Sequence, residues 1–203
     1  TEPSSSVYKV TEDYGYDPVT GNLDTRKVTG IGMTARTTTV GWNSTAQFPQ
    51  TISNPLSQVV TLGYDSATGM LTSQKDPNAI TTSWQYDNFA RKTKELRPDG
   101  TSTTWDYNSC TTAGCVNGNN KMTVVQTQVN TDGTPLRLDN TYLDALDRTL
   151  VTSGQMLNGA YDRREVQYDS LGRVHLQGMP CTFVGCVQYW VTNSYEVLNR
   201  LTQ

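Results

Sequence analysis

The sequence predicts an all-β fold, a repetitive array of antiparallel β-hairpins with almost no helix. Three observations carry that prediction. A Tyr-Asp dipeptide or a close relative recurs down the 203-residue chain; turn signals and short strands alternate between its copies; and no stretch keeps a helical period. The repeat heads fall at Tyr16, Trp42, Tyr64, Tyr86, Tyr107, Tyr142, Tyr168 and Tyr195, with steps of 26, 22, 22, 21, 35, 26 and 27 residues. A basal unit of about 22 residues with insertions fits them all, and a period of that length marks an array. The clearest copies are Tyr64-Asp65, Tyr86-Asp87, Tyr107-Asn108 and Tyr168-Asp169, and Asp17 follows the head at Tyr16.

Each unit reads as two strands and two turns. After Tyr64 the chain turns over Asp65 to Gly69, extends from Met70 to Lys75, turns at Asp76-Pro77-Asn78 and extends from Ile80 to Tyr86. The next unit turns over Asp87 to Ala90, extends from Arg91 to Arg97, turns at Pro98-Asp99-Gly100 and extends from Thr101 to Tyr107. An aspartate suits the first corner because its carboxylate accepts backbone N–H groups two residues on, and Gly69 or Gly172 can take the positive φ the corner needs. Residues 1–15 are expected to form a linker or a leading strand, and residues 16–203 about eight degenerate units, lengthened near 108–141 and 178–190. Thr123 to Val129 and Thr131 to Thr134 predict an additional hairpin in the first of these insertions.

Period-two alternation places Ile80, Thr82, Trp84 and Tyr86 on one face of their strand, and Thr101, Thr103, Trp105 and Tyr107 on one face of the equivalent strand. Aromatic ladders are expected on that face, with Thr81, Ser83, Gln85, Ser102, Thr104 and Asp106 on a wet one. Hydrophobic residues make up only 35% of the chain, and the mean hydropathy is −0.55. An array accommodates this because each unit contacts mainly its neighbours.

The residues that head and close these units resemble the YD-repeat or Rhs-repeat family. Tyr168-Asp-Ser-Leu-Gly-Arg-Val carries the resemblance most fully, and Tyr195-Glu-Val-Leu-Asn-Arg-Leu-Thr echoes it. It extends from about Tyr16 to the end of the chain. The resemblance implies a β-sheet spiralling into part of a hollow shell, as in bacterial polymorphic toxins, Tc toxin C components and the teneurins. It further implies a structural segment of a large exported or surface protein that encloses or presents a C-terminal effector domain. An Asp-Pro-x-Gly-Leu-like autoproteolysis site is absent from the sequence: Asp76-Pro77 is followed by Asn78-Ala79. The chain stops within a repeat, which reads as a segment of a longer protein. Its partners are then neighbouring repeats and the effector, and the isolated chain is expected to be monomeric or weakly paired through strand edges.

Four cysteines fall in the insertions as Cys110-Thr-Thr-Ala-Gly-Cys115 and Cys181-Thr-Phe-Val-Gly-Cys186. Matched, closely spaced pairs predict two local disulfides, and so a secreted or cell-surface setting; reduced thiols or one tetrahedral zinc site remain open alternatives. The net charge of −3 with scattered lysine and arginine predicts no nucleic-acid partner. His175 is the sole histidine, which excludes a multi-histidine metal centre and leaves one base for any nucleophilic site. Asp139, Asp144 and Asp147 could cluster, but the last two lie in a version of the repeat corner. The expected activity is therefore none, with no cofactor or metal. A second reading is a carbohydrate-binding or adhesion module whose Trp84, Trp105 and Trp190 stack on sugars and whose loss of Trp84 or Trp105 would abolish glycan binding. A hydrolase site within the Cys110 to Asn140 insertion, or Ca²⁺ at turn carboxylates, are weaker ones.

Overall fold

A computed structural model describes residues 9–110, 120–182 and 189–202, and no described residue is helical. The expected hairpin array is present. The chain divides into two compact units, Thr1–Pro98 and Asp99–Gln203. The first holds β1 (Val10–Tyr16), β2 (Leu23–Gly30), β3 (Met33–Trp42), β4 (Pro49–Ser53), β5 (Val59–Tyr64), β6 (Leu71–Lys75), β7 (Thr81–Tyr86) and β8 (Lys92–Leu96), each paired antiparallel with the next.

The second unit holds β9 (Ser102–Ser109), β10 (Met122–Val129), β11 (Pro135–Leu143), β12 (Thr149–Gln155), β13 (Tyr161–Tyr168) and β14 (Val174–Gly178), again paired in chain order. Two short strands follow: β15 (Cys181–Thr182) pairs with β13, and β16 (Trp190–Thr192) with β14. The expected hairpin in the first insertion is β10 with β11. It is the ordinary strand pair of its unit, and the excess length of the 35-residue step sits in the corner between β9 and β10.

Two kinds of corner alternate: head corners after an aromatic head, and far corners at the other end of the strands. Most share one backbone scheme. At Asp87 the N–H donates to the Arg91 carbonyl at 2.9 Å while Ala90 N–H donates back to the Asp87 carbonyl at 3.0 Å. Asp76 with Ala79 and Ile80, Asn54 with Ser57 and Gln58, Met156 with Gly159 and Ala160, and Asp169 with Gly172 and Arg173 repeat it. This is a type I turn closed by a residue of positive φ, the common three-residue hairpin loop. Gly172 takes the closing place at φ 79°, whereas Ala46, Ser57, Ala79, Ala90, Asp147 and Asn199 take it with side chains, at φ between 56° and 65°.

A second regularity escaped the alternation argument. At six head corners the returning strand carries one extra residue: Asp24, Gln50, Thr72, Thr93, Leu150 and His175 each fall where the register skips. Each is a β-bulge, which strengthens the local twist and re-aims the flanking side chains.

Little is enclosed. Among the described residues Val151, 1% exposed, is the one buried hydrophobic side chain; Ser102, Thr103, Asn120 and Asp144 are buried polar ones. Ser102 is thus a correction to the wet-face expectation, since both faces of β9 are covered at its start. Trp84 and Trp105 are half-buried. The wet-or-packed division between faces is therefore weaker than strict alternation predicts, because a single-layer strip offers no second layer against which to bury a face.

The alanines at positive φ lead to a test. Replacing Ala79 or Ala90 by glycine removes the left-handed penalty of a Cβ and should stabilise the chain by about 0.5–1 kcal/mol, after the entropy that glycine adds to the unfolded state. A higher melting temperature in thermal unfolding is the expected result.

Candidate functional site

The side chains at the head corners form the densest set of specific interactions in the chain. At Asp169, Oδ1 accepts the N–H groups of Leu171 and Arg173, both at 2.9 Å, and Oδ2 accepts Arg173 Nε at 2.7 Å. Asp144 makes the same three bonds with Leu146 and Arg148, at 2.8, 3.0 and 2.8 Å. Asp87 makes them with Phe89 and Arg91, at 2.9, 3.0 and 2.7 Å. Glu196 pairs with Arg200 across the last corner. One carboxylate therefore closes the turn with one oxygen and fixes the arginine with the other, in charge-assisted bonds.

Where arginine is missing, threonine substitutes. Asp17 Oδ1 accepts Thr20 N–H at 2.7 Å and the Thr20 hydroxyl at 2.9 Å, and Asp65 accepts the equivalent bonds from Thr68 at 2.8 and 2.7 Å. These corners are one residue longer and close on Gly21 and Gly69. Asn43 plays the part with its amide oxygen, accepting the N–H groups of Gln47 and Phe48 at 2.9 and 3.2 Å.

The arginines also tie one corner to the next within the second unit. The Arg148 guanidinium lies over the Tyr168 ring at 4.4 Å and the Arg173 guanidinium over the Tyr195 ring at 4.5 Å. Arg173 Nη1 donates to Asn199 Oδ1 at 2.7 Å. A Cβ on Gly172 would stand 3.1 Å from Arg148 Nη1, so glycine there serves both the positive φ and the stacking. The heads Tyr168 and Tyr195 thus alternate with arginines, in place of the ring-on-ring ladder expected from the sequence. Phe48 and Tyr64 do stack, with centroids 4.9 Å apart.

Four of the heads also reach back to the preceding corner. Tyr86 donates its hydroxyl to the Leu71 carbonyl at 2.9 Å, Tyr168 to Thr149 at 2.9 Å and Tyr195 to Val174 at 2.8 Å; Trp42 Nε1 donates to the Leu23 carbonyl at 3.1 Å. All four acceptors are the first residue of a returning strand, next to a bulge. Tyr16 is 61% exposed. Tyr107 lies within β9 opposite Val124. At the corner of Asp144 the register place of the head belongs to Leu143, which pairs with Thr149, while Tyr142 lies one residue earlier opposite Val151.

Trp84 Nε1 donates to Glu95 Oε2 at 2.9 Å, and Lys92 Nζ stands 5.8 Å from its ring centroid. Trp105 Nε1 donates to Gln126 at 3.2 Å, and Trp190 is 36% exposed on β16. His175 is exposed at its bulge, with Nδ1 3.4 Å from the Asn193 carbonyl oxygen. Asp139 pairs with Arg137 on the same strand, Asp144 pairs with Arg148 across its corner, and Asp147 closes that corner with its backbone at φ 57°. Among the described residues no three metal-ligating side chains converge. Cys115 and Cys186 lie outside the described residues. Of their expected partners, Cys110 accepts a bond from the buried Asn120 amide at 3.2 Å and Cys181 lies in β15; neither is free. Cys110 follows β9 at a head corner and Cys181 follows β14 at a far corner, so these two residues lie at opposite margins of the unit.

The fold and its corners define a structural repeat array. Residues 64–102 match the RHS Repeat family, and corners outside that stretch repeat the hydrogen-bond geometry of the corner at Asp87 within it. Solved structures similar to the chain include TcdB2-TccC3 without its hypervariable C-terminal region, at 15% identity over 95% of this chain and 9% of that one, TM-score 0.50. TcdB2-TccC3-Cdc42 aligns at 15% identity over 95% of this chain and 12% of that one, TM-score 0.48. A Photorhabdus luminescens Tc holotoxin pore aligns at 11% identity over 98% and 14%, TM-score 0.38. The chain thus spans about a tenth of the length of the solved chains it resembles. No curated protein matches it.

The corner carboxyls titrate low. Backbone N–H donation from Arg173, then its guanidinium, holds Asp169 below the ordinary aspartate range; burial raises Asp144, but the Arg148 guanidinium and N–H outweigh it. The Thr68 hydroxyl and N–H lower Asp65. A depressed carboxyl stabilises the fold above its unfolded pKa, and the contribution is lost as pH falls through the lower folded value. Unfolding free energy should therefore decline as pH drops below about 4, and Asp169→Asn, which keeps the turn acceptor but not the charge, should flatten that decline. Tyr168→Phe and Tyr195→Phe should each cost about 1 kcal/mol, the net worth of one hydrogen bond, read from denaturant midpoints.

Proposed function

We propose that this chain is a non-catalytic wall segment of a large exported or surface-displayed bacterial protein, in which its repeats form part of a β shell or stalk that encloses or presents an effector domain. The observation that carries the reading is the use of the corner chemistry. The carboxylates of Asp87, Asp144 and Asp169, which could serve acid–base catalysis, are each saturated by two backbone N–H groups and an arginine of the same corner. The RHS repeat match and the TcdB2-TccC3 likeness support a structural strip of this type. Its partners are then neighbouring repeats and the effector.

Export is supported by the cysteines. Two local disulfides, Cys110 with Cys115 and Cys181 with Cys186, would staple the two enlarged corners outside the reducing cytosol. No observation favours the glycan track: the Trp84 indole is held by Glu95 and covered by Lys92.

Two measurements test the reading. Intact mass and peptide mapping of protein made under oxidising conditions should give both local links, with alkylation of the four cysteines only after reduction; free thiols or bound zinc would remove the argument for export. In the full-length protein, limited proteolysis should spare the effector domain. Breaking the corners with Asp144→Ala and Asp169→Ala should expose that domain to cleavage, and equal protection in both proteins would reject an enclosing wall.

A further inference from the structure

The corner between β9 and β10 holds a polar atom that the fold leaves unanswered. Among the described residues two buried side-chain atoms lack a hydrogen-bond partner, Asn120 Oδ1 and Arg163 Nε. Arg163 keeps an ion pair with Glu165 at 2.7 Å. Asn120, 1% exposed, directs its side chain at sulfur instead, with Nδ2 donating to Cys110 Sγ at 3.2 Å. A buried acceptor without a donor is costly, and a native structure that keeps one calls for a reason. The place is fixed by the backbone: Cys110 N–H donates to the Lys121 carbonyl at 2.8 Å, and Lys121 N–H to the Leu143 carbonyl at 2.7 Å.

We propose that Cys110 is a site of thiol–disulfide exchange, with Asn120 as the positioning residue that favours the reduced sulfur. The proposal rests on the Cys110–Cys115 link of the functional reading above. In that link the Cys110 sulfur is divalent and a weak acceptor, so the Asn120 amide gives its donor to a poor partner and its acceptor to none. Reduction removes the mismatch. A Cys110 thiolate accepts Nδ2–H in a charge-assisted bond, and a Cys110 thiol, after half a turn of the amide, donates S–H to Oδ1. Cys110 is half-buried, so its corner is open to a small reductant.

The co-reactant is a dithiol. Its thiolate attacks the Cys115 sulfur, the S–S bond breaks, and Cys110 departs as the thiolate that Asn120 stabilises. The second thiol of the reductant loses its proton and displaces Cys115, so the dithiol is oxidised to a disulfide while both cysteines are reduced and take up its two protons. The effect is local. Eight register pairs join β9 to β10 without this bond, so its reduction opens the covalent loop of residues 110–115 and leaves the strip paired.

Protein made under oxidising conditions, equilibrated with mixtures of reduced and oxidised dithiothreitol, then alkylated and mapped by mass spectrometry, tests this. The ratio of reduced to oxidised dithiothreitol that half-reduces the Cys110 bond should rise about tenfold, about 30 mV for a two-electron couple, in Asn120→Leu, which removes both polar atoms at similar volume. Asn120→Ala should act in the same direction. In both variants circular dichroism, melting of the oxidised protein and the midpoint of the Cys181 bond should stay as in wild type. Trapping the wild-type protein with glutathione, a monothiol, reads the order of events without a variant: the mixed disulfide should map to Cys115. Midpoints that ignore both substitutions, an equal shift at Cys181, or glutathione on Cys110 would overturn this proposal and leave the functional reading standing. Cys110 and Cys115 found free in the oxidised preparation would overturn both.

Discussion

A strip of hairpins one sheet thick has almost nothing to bury, and the order of this chain depends on the acceptor oxygen at each corner. Only Val151 is a buried hydrophobic side chain among the described residues, so the hydrophobic term that stabilises ordinary domains is spread thinly over half-exposed strands. A hairpin without a core is marginal by itself. The corner carboxylate compensates locally: its Oδ1 collects two N–H groups that would otherwise face solvent, and it does so without a distant partner. Asp, Asn and a threonine-assisted Asp all serve, since each presents an oxygen at the same distance from the backbone. That tolerance explains how the repeat can be so degenerate and still fold.

Local closure alone would give separate hairpins, and the bulge with the head side chain joins them. The extra residue in a returning strand places a carbonyl beside the irregularity, and at four corners the next head, one repeat later, fills it with a hydroxyl or an indole N–H. In the second unit the arginine adds another link by lying on the next head ring while still bonded to its own aspartate. Exposed ion pairs of this sort contribute little individually. Their weight here lies in direction: each guanidinium fixes the distance from one corner to the following one. Stability then grows by neighbour terms, as in other repeat arrays.

How much of this was legible can be seen at particular residues. The strands from Leu71 to Tyr107 follow the turn signals closely, because Asp, Pro and Gly constrain the backbone through local chemistry that the sequence states outright. The arginine links were also within reach: an acid and an arginine stand four residues apart at Asp87 and Arg91, Asp144 and Arg148, Asp169 and Arg173, and Glu196 and Arg200. The bulges were not, since residues as different as Asp24, Thr93, Leu150 and His175 occupy them. A bulge is set by how two strands meet, and period-two reading passes over it. The register head of the Asp144 corner is Leu143 and not Tyr142; it stands directly before its aspartate, as Tyr86 and Tyr168 do before theirs.

The bulge also gives a physical reason for the weak division between faces. Inverting the alternation once per repeat sends residues of one nominal stripe to both sides of the strip, so neither side accumulates the apolar area that would demand a second layer. The sequence can then remain polar overall, at a mean hydropathy of −0.55, and still specify a unique register, because register is fixed at the corners and not by burial. A wall built in this way can have both surfaces wet, with apolar side chains half-buried along the strands and others, such as Leu146, Leu171 and Leu198, exposed at the corners.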